Sequence, residues 1–254
     1  MSAPPADSRL MDEVVELAVA AGNSTLRWFR AGDIDLEEKA DGTPVTIADR
    51  TAERLIRDEL THRHPGDAVF GEEEGGSGPG GRRWIIDPID GTLSFIHGVP
   101  LYGTLLAVED EHGIAAGAIH HAALDETVWA GRGRGAFHNG APCRVSSVDR
   151  VDRAVFSTSD YAAMTPAMLQ SVHQSGFLLR TWGDAYGYTL VATGRMEAMV
   201  DPIVHIWDVA PMAVIIPEAG GEFSSLDGKR SYTEGNAVAS NGLLHERVLS
   251  TLAG

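Results

Sequence analysis

Cysteine is almost missing from this chain. Cys143 stands alone, so no intrachain disulfide can form and a cysteine-rich zinc site is excluded. A lone cysteine is read as a small buried hydrophobe before it is read as a nucleophile. Among the histidines, His97, His120, His121 and His205 show no H-E-x-x-H or other metal-ligand spacing. Long apolar runs are also lacking. The opening MSAPPADSRL holds no apolar core of signal-peptide length, and nothing later approaches the roughly 20 apolar residues of a membrane span. A cytoplasmic protein with no membrane partner is expected. Basic residues are scarce: 20 against 36 acidic ones, a formal charge of −16. Phosphate-backbone binding requires a positive surface, so nucleic acid is excluded as a partner. The acidic excess serves solubility, or it includes carboxylates gathered around hard cations. No internal repeat or long low-complexity segment is present.

What remains is an ordinary globular composition of 254 residues, 43% hydrophobic and 22% charged, enough for one large core or two packed lobes. Leu10, Val14, Leu17, Ala18 and Ala21 share one face of a helix. Asp41-Gly42-Thr43-Pro44 breaks the chain. A second helix follows, with Ala48, Ala52, Leu55, Ile56 and Leu60 on one face and Thr46 and Asp49 spaced as a capping box. Short apolar runs at 68–70 and 84–86 flank a Gly-rich loop, Gly75 to Gly81. From residue 101 the alternation turns to strands, LYGTLLAVED, GIAAGAIHHA and ETVWAG, which predict an antiparallel sheet. Helices are expected at 166–175, 185–193, 208–219 and 243–252, and strands near 154–158, 178–181, 196–201 and 237–239. Pro217 is expected to kink its helix. The prediction is a layered α/β protein: an α+β lobe over about 1–145 and an α/β lobe over 146–254, with a cleft between them.

The most informative stretch is Trp84-Ile85-Ile86-Asp87-Pro88-Ile89-Asp90-Gly91-Thr92. An apolar strand ends in two carboxylates three residues apart, with a proline holding the backbone between them. Hard divalent cations take carboxylate and carbonyl oxygens, so Asp87, Asp90 and the Ile89 carbonyl form a candidate metal turn. Gly91 and Thr92 would open a helix whose free amides face a phosphate. A plain strand end with a turn explains the same residues. Gly71-Glu72-Glu73-Glu74 is otherwise a solvated acidic run, Thr43 to Asp49 a helix cap, and Ile206-Trp207-Asp208-Val209-Ala210 a helix start whose acid suits the dipole. Each feature alone has an ordinary explanation; their order and surroundings together do not.

Taken together, K-x-D-x-T-P-V-T-x-x-D at 39–49, G-E-E at 71–73, W-I-I-D-P-I-D-G-T at 84–92, W-D-V-A at 207–210 and Glu218-Ala219-Gly220-Gly221 resemble the inositol monophosphatase family of metal-dependent, lithium-sensitive phosphatases. The resemblance covers essentially the whole chain. It implies an α-β-α-β-α sandwich, two to three Mg²⁺ ions and a homodimer. Glu72, Asp87 and the Ile89 carbonyl would hold the first ion. Asp87, Asp90 and Asp208 would hold the second, and a third, weaker ion would sit near Glu72. Thr92 with Asp49 would polarise an attacking water, and the Gly91 and Thr92 amides would hold phosphate oxygens. One metal would create hydroxide and the other stabilise the leaving alkoxide, with no covalent nucleophile. A non-catalytic sensor that kept the fold is disfavoured by the intact set Asp49, Glu72, Asp87, Asp90, Thr92 and Asp208.

The resemblance implies a small phosphorylated metabolite as substrate. Arg180 to Tyr188, with Gly183-Asp184 followed by aromatics, looks like the histidinol-phosphatase branch of the family, and so does the run from Asp90 to Leu105. Leu93 departs from the Lys or Thr common after D-G-T. Histidinol phosphate carries an ammonium and an imidazole, for which Asp184 and Asp201 would be carboxylate partners. The alternatives are an inositol-1-monophosphatase or a broad phosphatase of the same mechanism. Asp184 reads equally as a helix N-cap, and Trp182, Tyr186 and Tyr188 as core aromatics. Arg132-Gly133-Arg134-Gly135 is expected to be a hairpin turn with solvated arginines.

Overall fold

The computed structural model describes residues 3–31, 36–38 and 44–253. The Asp41–Thr43 part of the expected chain break, and the Lys39 to Thr43 part of the first motif, lie outside them. Helix α1 (Ser8–Thr25) starts where the Asp7 carboxylate accepts the Arg9 N–H, and it buries Val14, Leu17, Ala18 and Ala21 on one stripe. Strands β1 (Leu36–Glu38) and β2 (Pro44–Thr46) pair antiparallel. Helix α2 (Ile47–Arg63) begins with the expected capping box between Thr46 and Asp49. There follow β3 (Ala68–Gly71), β4 (Gly75–Ser77), β5 (Arg83–Asp90), α3 (Thr92–Ile96), β6 (Gly103–Asp110), β7 (Gly113–His121), β8 (Glu126–Gly131), β9 (Gly135–His138) and β10 (Ala141–Pro142). The second half holds β11 (Val155–Ser157), α4 (Pro166–Gln174), β12 (Leu178–Arg180), α5 (Asp184–Ala192), β13 (Ala198–Asp201), α6 (Ile206–Val209), α7 (Met212–Glu218), β14 (Glu222–Ser224), β15 (Ala237–Ser240) and α8 (His245–Leu252).

Two mixed sheets result among the described residues. The first runs β10-β9-β8-β7-β6-β5-β3-β4 and the second β12-β11-β13-β15-β14. Strand alternation explains how they stack, because successive side chains leave opposite faces. Trp84, Ile86, Leu106 and Val108 face α1 and α2. Ile85, Leu105 and Ala107 face the other way and meet Val191 of α5 and Ile215 of α7. Met199, Ala237 and Ala239 of the second sheet close the far side of that same layer. Their neighbours Ala198, Val200 and Val238 point outward onto Val172 of α4 and Val248 of α8. The order is therefore helices, sheet, helices, sheet, helices, the five layers that the resemblance implied.

Three local expectations change. The Gly-rich loop contains a strand, β4, because Gly75–Ser77 pairs with β3. The antiparallel pairing expected from residue 101 is found, β6 with β7 and β7 with β8, and β3 extends the same sheet parallel to β5. The helix expected over 208–219 is two, α6 and α7. The break falls at Pro211, which has no N–H to continue the ladder, while Pro217 stands in the last turn. Arg132 and Arg134 are not free in solvent. Arg132 pairs with Asp110 at 2.6 Å, and Arg134 donates to the Ala6 carbonyl at 2.9 Å, tying down the N-terminal segment.

Candidate metal centre and active site

The site begins with a fault in a strand. Residues three apart on a regular strand point to opposite faces, so Asp87 and Asp90 would diverge. In β5 the register shifts between them: Asp87 faces Leu105, but Asp90 faces Gly103. Pro88 and Ile89 thus stand opposite the single residue Thr104, whose hydroxyl donates to the Pro88 carbonyl at 2.7 Å. A bulge of this kind re-aims side chains, and both carboxylates now look into one space. Gly91, at φ 79°, turns the chain into α3, and Thr92 Oγ1 donates back to the Ile89 carbonyl at 3.1 Å. A side chain at 91 would meet Asp184 Oδ2 at 2.8 Å as well as occupying the left-handed region.

Asp208 enters from α6, where its Oδ2 accepts the His205 N–H at 2.7 Å. Ligand oxygens of Asp87, Asp90 and Asp208 lie within 4.8 Å of one another. Glu72 follows β3, its N–H on the Ile86 carbonyl at 3.2 Å. Asp49 sits in the first turn of α2, 1% exposed, and its Oδ2 accepts the Thr46 N–H at 2.8 Å and hydroxyl at 2.6 Å. Thr92 and Asp49, expected to act together, are not hydrogen-bonded to each other.

Burial first, and the neighbouring charges of Glu72, Asp90 and Asp208 second, hold the Asp87 carboxyl well above its ordinary range. Asp90 is raised likewise, by burial and then by Asp184 and Asp208. Burial also pushes Asp208 and Asp49 each up to about 6, with Glu72 adding to both. Asp87 Oδ1 and Asp49 Oδ1 are buried without a hydrogen-bond partner. Crowded carboxylates with orphaned buried oxygens are what a hard cation compensates, and the donor set is all oxygen, which fits Mg²⁺.

The cluster floors a cleft of about 770 Å³ between the two sheets. Strands β11, β12 and β13 are parallel, so their C-terminal ends share one edge, and the residues just beyond them form the opposite wall. That wall includes Ser159, Asp160, Thr181, Gly183, Asp184 and His205. Among the described residues that line the cleft there is no lysine or arginine. The N-cap of α5 is Gly183, and Asp184 makes no capping hydrogen bond; its own N–H donates to Ser159 Oγ at 2.7 Å. The helix-cap explanation of Asp184 therefore fails. Asp184 sits at φ 52°, a conformation few residues other than Gly, Asn and Asp adopt, and burial with the charge of Asp201 raises its carboxyl to about 6.

Asp201 requires correction. It was paired with Asp184 as a direct partner of a substrate cation, but it is 5% exposed and does not line the cleft. Its oxygens accept the Ser159 N–H at 2.9 Å and the Tyr188 hydroxyl at 2.8 Å. Tyr188 is a core residue accordingly, whereas Trp182 is 40% exposed. His120 and His121 are buried and each makes two hydrogen bonds through the ring, so neither is a spare ligand. Sequence reasoning missed Ser159, Asp160 and His205. The signal for the first two was the polar Ser157-Thr158-Ser159-Asp160 directly after an apolar strand.

The profile of the inositol monophosphatase family matches residues 7–253. A histidinol-phosphatase of Chlorobaculum parvum is 45% identical over 232 residues, 89% of each chain. A histidinol-phosphatase of Mycobacterium tuberculosis is 40% identical over 253 residues, 95% of this chain and 97% of that one. The crystal structure of the extragenic suppressor protein suhB from Bartonella henselae superposes with a TM-score of 0.89 at 30% identity, covering 96% of this chain and 98% of that one. A bulged strand that turns two aspartates onto one space, a third aspartate from α6 and the five layers around them agree with that match: this chain belongs to the inositol monophosphatase family.

Proposed function

We propose that the chain is a cytoplasmic, Mg²⁺-dependent phosphomonoesterase that hydrolyses histidinol phosphate to histidinol and phosphate. The observation that carries the substrate is the cleft wall. Beyond the metal cluster its described residues offer the carboxylates of Asp184 and Asp160, the imidazole of His205, and no lysine or arginine. A second phosphate would be repelled there. The hydroxyls of an uncharged polyol would give the two carboxylates weaker hydrogen bonds than an ammonium or imidazolium, where donor and acceptor are both charged. The 45% and 40% identities to histidinol-phosphatases support the same reading.

Glu72, Asp87, Asp90, Asp208 and the Ile89 carbonyl are assigned to hold the ions. Bound Mg²⁺ supplies Lewis acidity at the phosphoryl group and makes hydroxide available near neutral pH. The Gly91 and Thr92 amides hold phosphate oxygens. The Thr92 hydroxyl, oriented by the Ile89 carbonyl, positions the attacking water, and Asp49, with one oxygen unpartnered, accepts its proton. Asp184 grips the cationic end, and Asp201 acts behind it by fixing Ser159, to which the Asp184 N–H is bound. A homodimer goes with this reading and is measured by sedimentation. The deciding experiment compares kcat/KM for histidinol phosphate and myo-inositol 1-phosphate side by side. A preference for the inositol ester overturns the substrate assignment and leaves the phosphatase chemistry standing.

A further inference from the structure

We infer that Glu53 is a positioning residue of the metal centre: its buried carboxylate clamps both neighbours of Glu72 and so sets where the Glu72 side chain stands. The inference rests on the assignment of Glu72 as a metal ligand.

Glu53 lies on α2 one turn after Asp49, and it is 0% exposed. A carboxylate taken wholly out of water must be matched by donors. Here every donor belongs to one segment or to the arginine that braces it. Glu53 Oε2 accepts the Glu73 N–H at 2.8 Å, and Oε1 accepts the Glu74 N–H at 3.0 Å. Arg57, one turn further along α2, donates Nε to Oε1 at 2.7 Å. The rest of its guanidinium reaches forward to the Gly75 carbonyl and, at 3.0 Å, to Ser77 Oγ. On the other side of Glu72, Gly71 is packed so tightly on Glu53 that an added Cβ would stand 2.3–2.7 Å from its carboxylate atoms. Residue 71 touches Glu53, residue 73 is hydrogen-bonded to it, and Glu72 between them has its N–H on β5 through the Ile86 carbonyl. The backbone that carries Glu72 thus has almost no freedom. Because Asp49 and Glu53 share a helix face, the same clamp registers Asp49 against Glu72.

An ordinary buried ion pair would make none of these demands on residues 71 and 73, and the two roles separate by experiment. In Glu53→Gln, one of the two oxygens that accept a backbone N–H becomes an amide NH₂, so donor meets donor on one side of the clamp. Mg²⁺ binding to the full-length chain, measured by calorimetry with the metal alone, should weaken about 10- to 100-fold, as for other groups that orient metal ligands. Gly71→Ala, which displaces the carboxylate by its Cβ, should weaken it similarly and supplies the decisive variant if Glu53→Gln does not fold. Glu72→Gln is the reference. In its background Glu53→Gln should cost nothing further, since both act through one ligand. A Glu53→Gln or Gly71→Ala protein that melts lower but binds Mg²⁺ like the parent refutes the clamp, and so does a loss that adds in full to that of Glu72→Gln. If Glu72→Gln itself binds Mg²⁺ normally, the ligand assignment has failed and the inference falls with it.

Discussion

Protons should compete with Mg²⁺ for this site, and the structure says how strongly. Asp208 has its carboxyl raised to about 6 by burial, and Asp87 and Asp90 are raised by burial and by each other's neighbours. Metal binding requires the ionised form, so a ligand of pKa about 6, roughly one tenth ionised near pH 5 and almost fully ionised near pH 7.5, costs about 10-fold in apparent affinity between those values. Asp87 and Asp90 are also raised, by burial and by the acidic groups around them, so their protonation acts in the same direction. Thermal stability of the metal-free chain is the wrong assay, because two slopes oppose each other. Carboxylates whose folded pKa exceeds the unfolded value bind extra protons when folded, so they lower stability as pH rises from about 4 through 6. Buried histidines act in the other direction: His121, pushed down to about 4 by burial, adds stability as pH rises from there towards the ordinary histidine range. Calorimetric titration of Mg²⁺ avoids this cancellation. It should show affinity falling about 10-fold from pH 7.5 to 5, with an observed binding enthalpy near pH 6 that varies with the buffer's ionisation heat, the slope giving the number of protons released. A dissociation constant independent of pH would refute the premise that these buried carboxylates hold the metal.

Asp87→Asn should fold, by circular dichroism, and retain no more than a few per cent of turnover at ordinary Mg²⁺; higher retention removes Asp87 as the bridge. Thr92→Ala leaves every carboxylate in place and should lower kcat on the order of 10²-fold or more, measured under saturating substrate, whereas an effect confined to KM assigns Thr92 to binding. Asp184→Asn keeps a residue tolerant of positive φ and removes only the charge. A lost charge-assisted hydrogen bond of roughly 1.5–3 kcal/mol should then lower kcat/KM about 10- to 150-fold for histidinol phosphate while sparing p-nitrophenyl phosphate. Equal losses on both esters would place the damage at the metal cluster.

What could be read in advance follows from how local each signal is. The helix stripes of α1 and α2 and the alternation in β6 to β8 were legible because each is a repeat of apolar residues within a few positions. Asp87, Asp90 and Glu72 could be singled out as candidates because their motifs stand in the order of a known family; alone, each is explained by the end of an apolar strand and its turn. Strand direction was not legible: nothing within Ala68–Gly71 distinguishes the parallel pairing with β5, which depends on the path of the chain from 72 to 82. Asp201 misled for a related reason. It ends a strand just as Asp90 does, yet its burial partners, Ser159 and Tyr188, come from other segments and engage both oxygens. Ser159 and Asp160 gained their place in the wall only when β11 aligned parallel with β12 and β13.

The way the carboxylates are held also bears on which of them depends most on a cation. Asp49, Asp90 and Asp208 each give one oxygen to a backbone N–H, from Thr46, Ala185 and His205 respectively. Each is thereby fixed in one orientation and partly compensated for its burial, and Asp90 and Asp208 also line the cleft. Asp87 is the most deeply buried of the clustered aspartates, at 1% exposure, and its Oδ1 has no donor at all. Its neighbours Glu72, Asp90 and Asp208 are all acidic, so every nearby charge opposes its ionisation. Burial and these charges hold the Asp87 carboxyl well above its ordinary range, so a cation beside it would favour its ionised form. The residue with the least help from the protein is the one that a bound metal would stabilise most, which agrees with the bridging role proposed for Asp87.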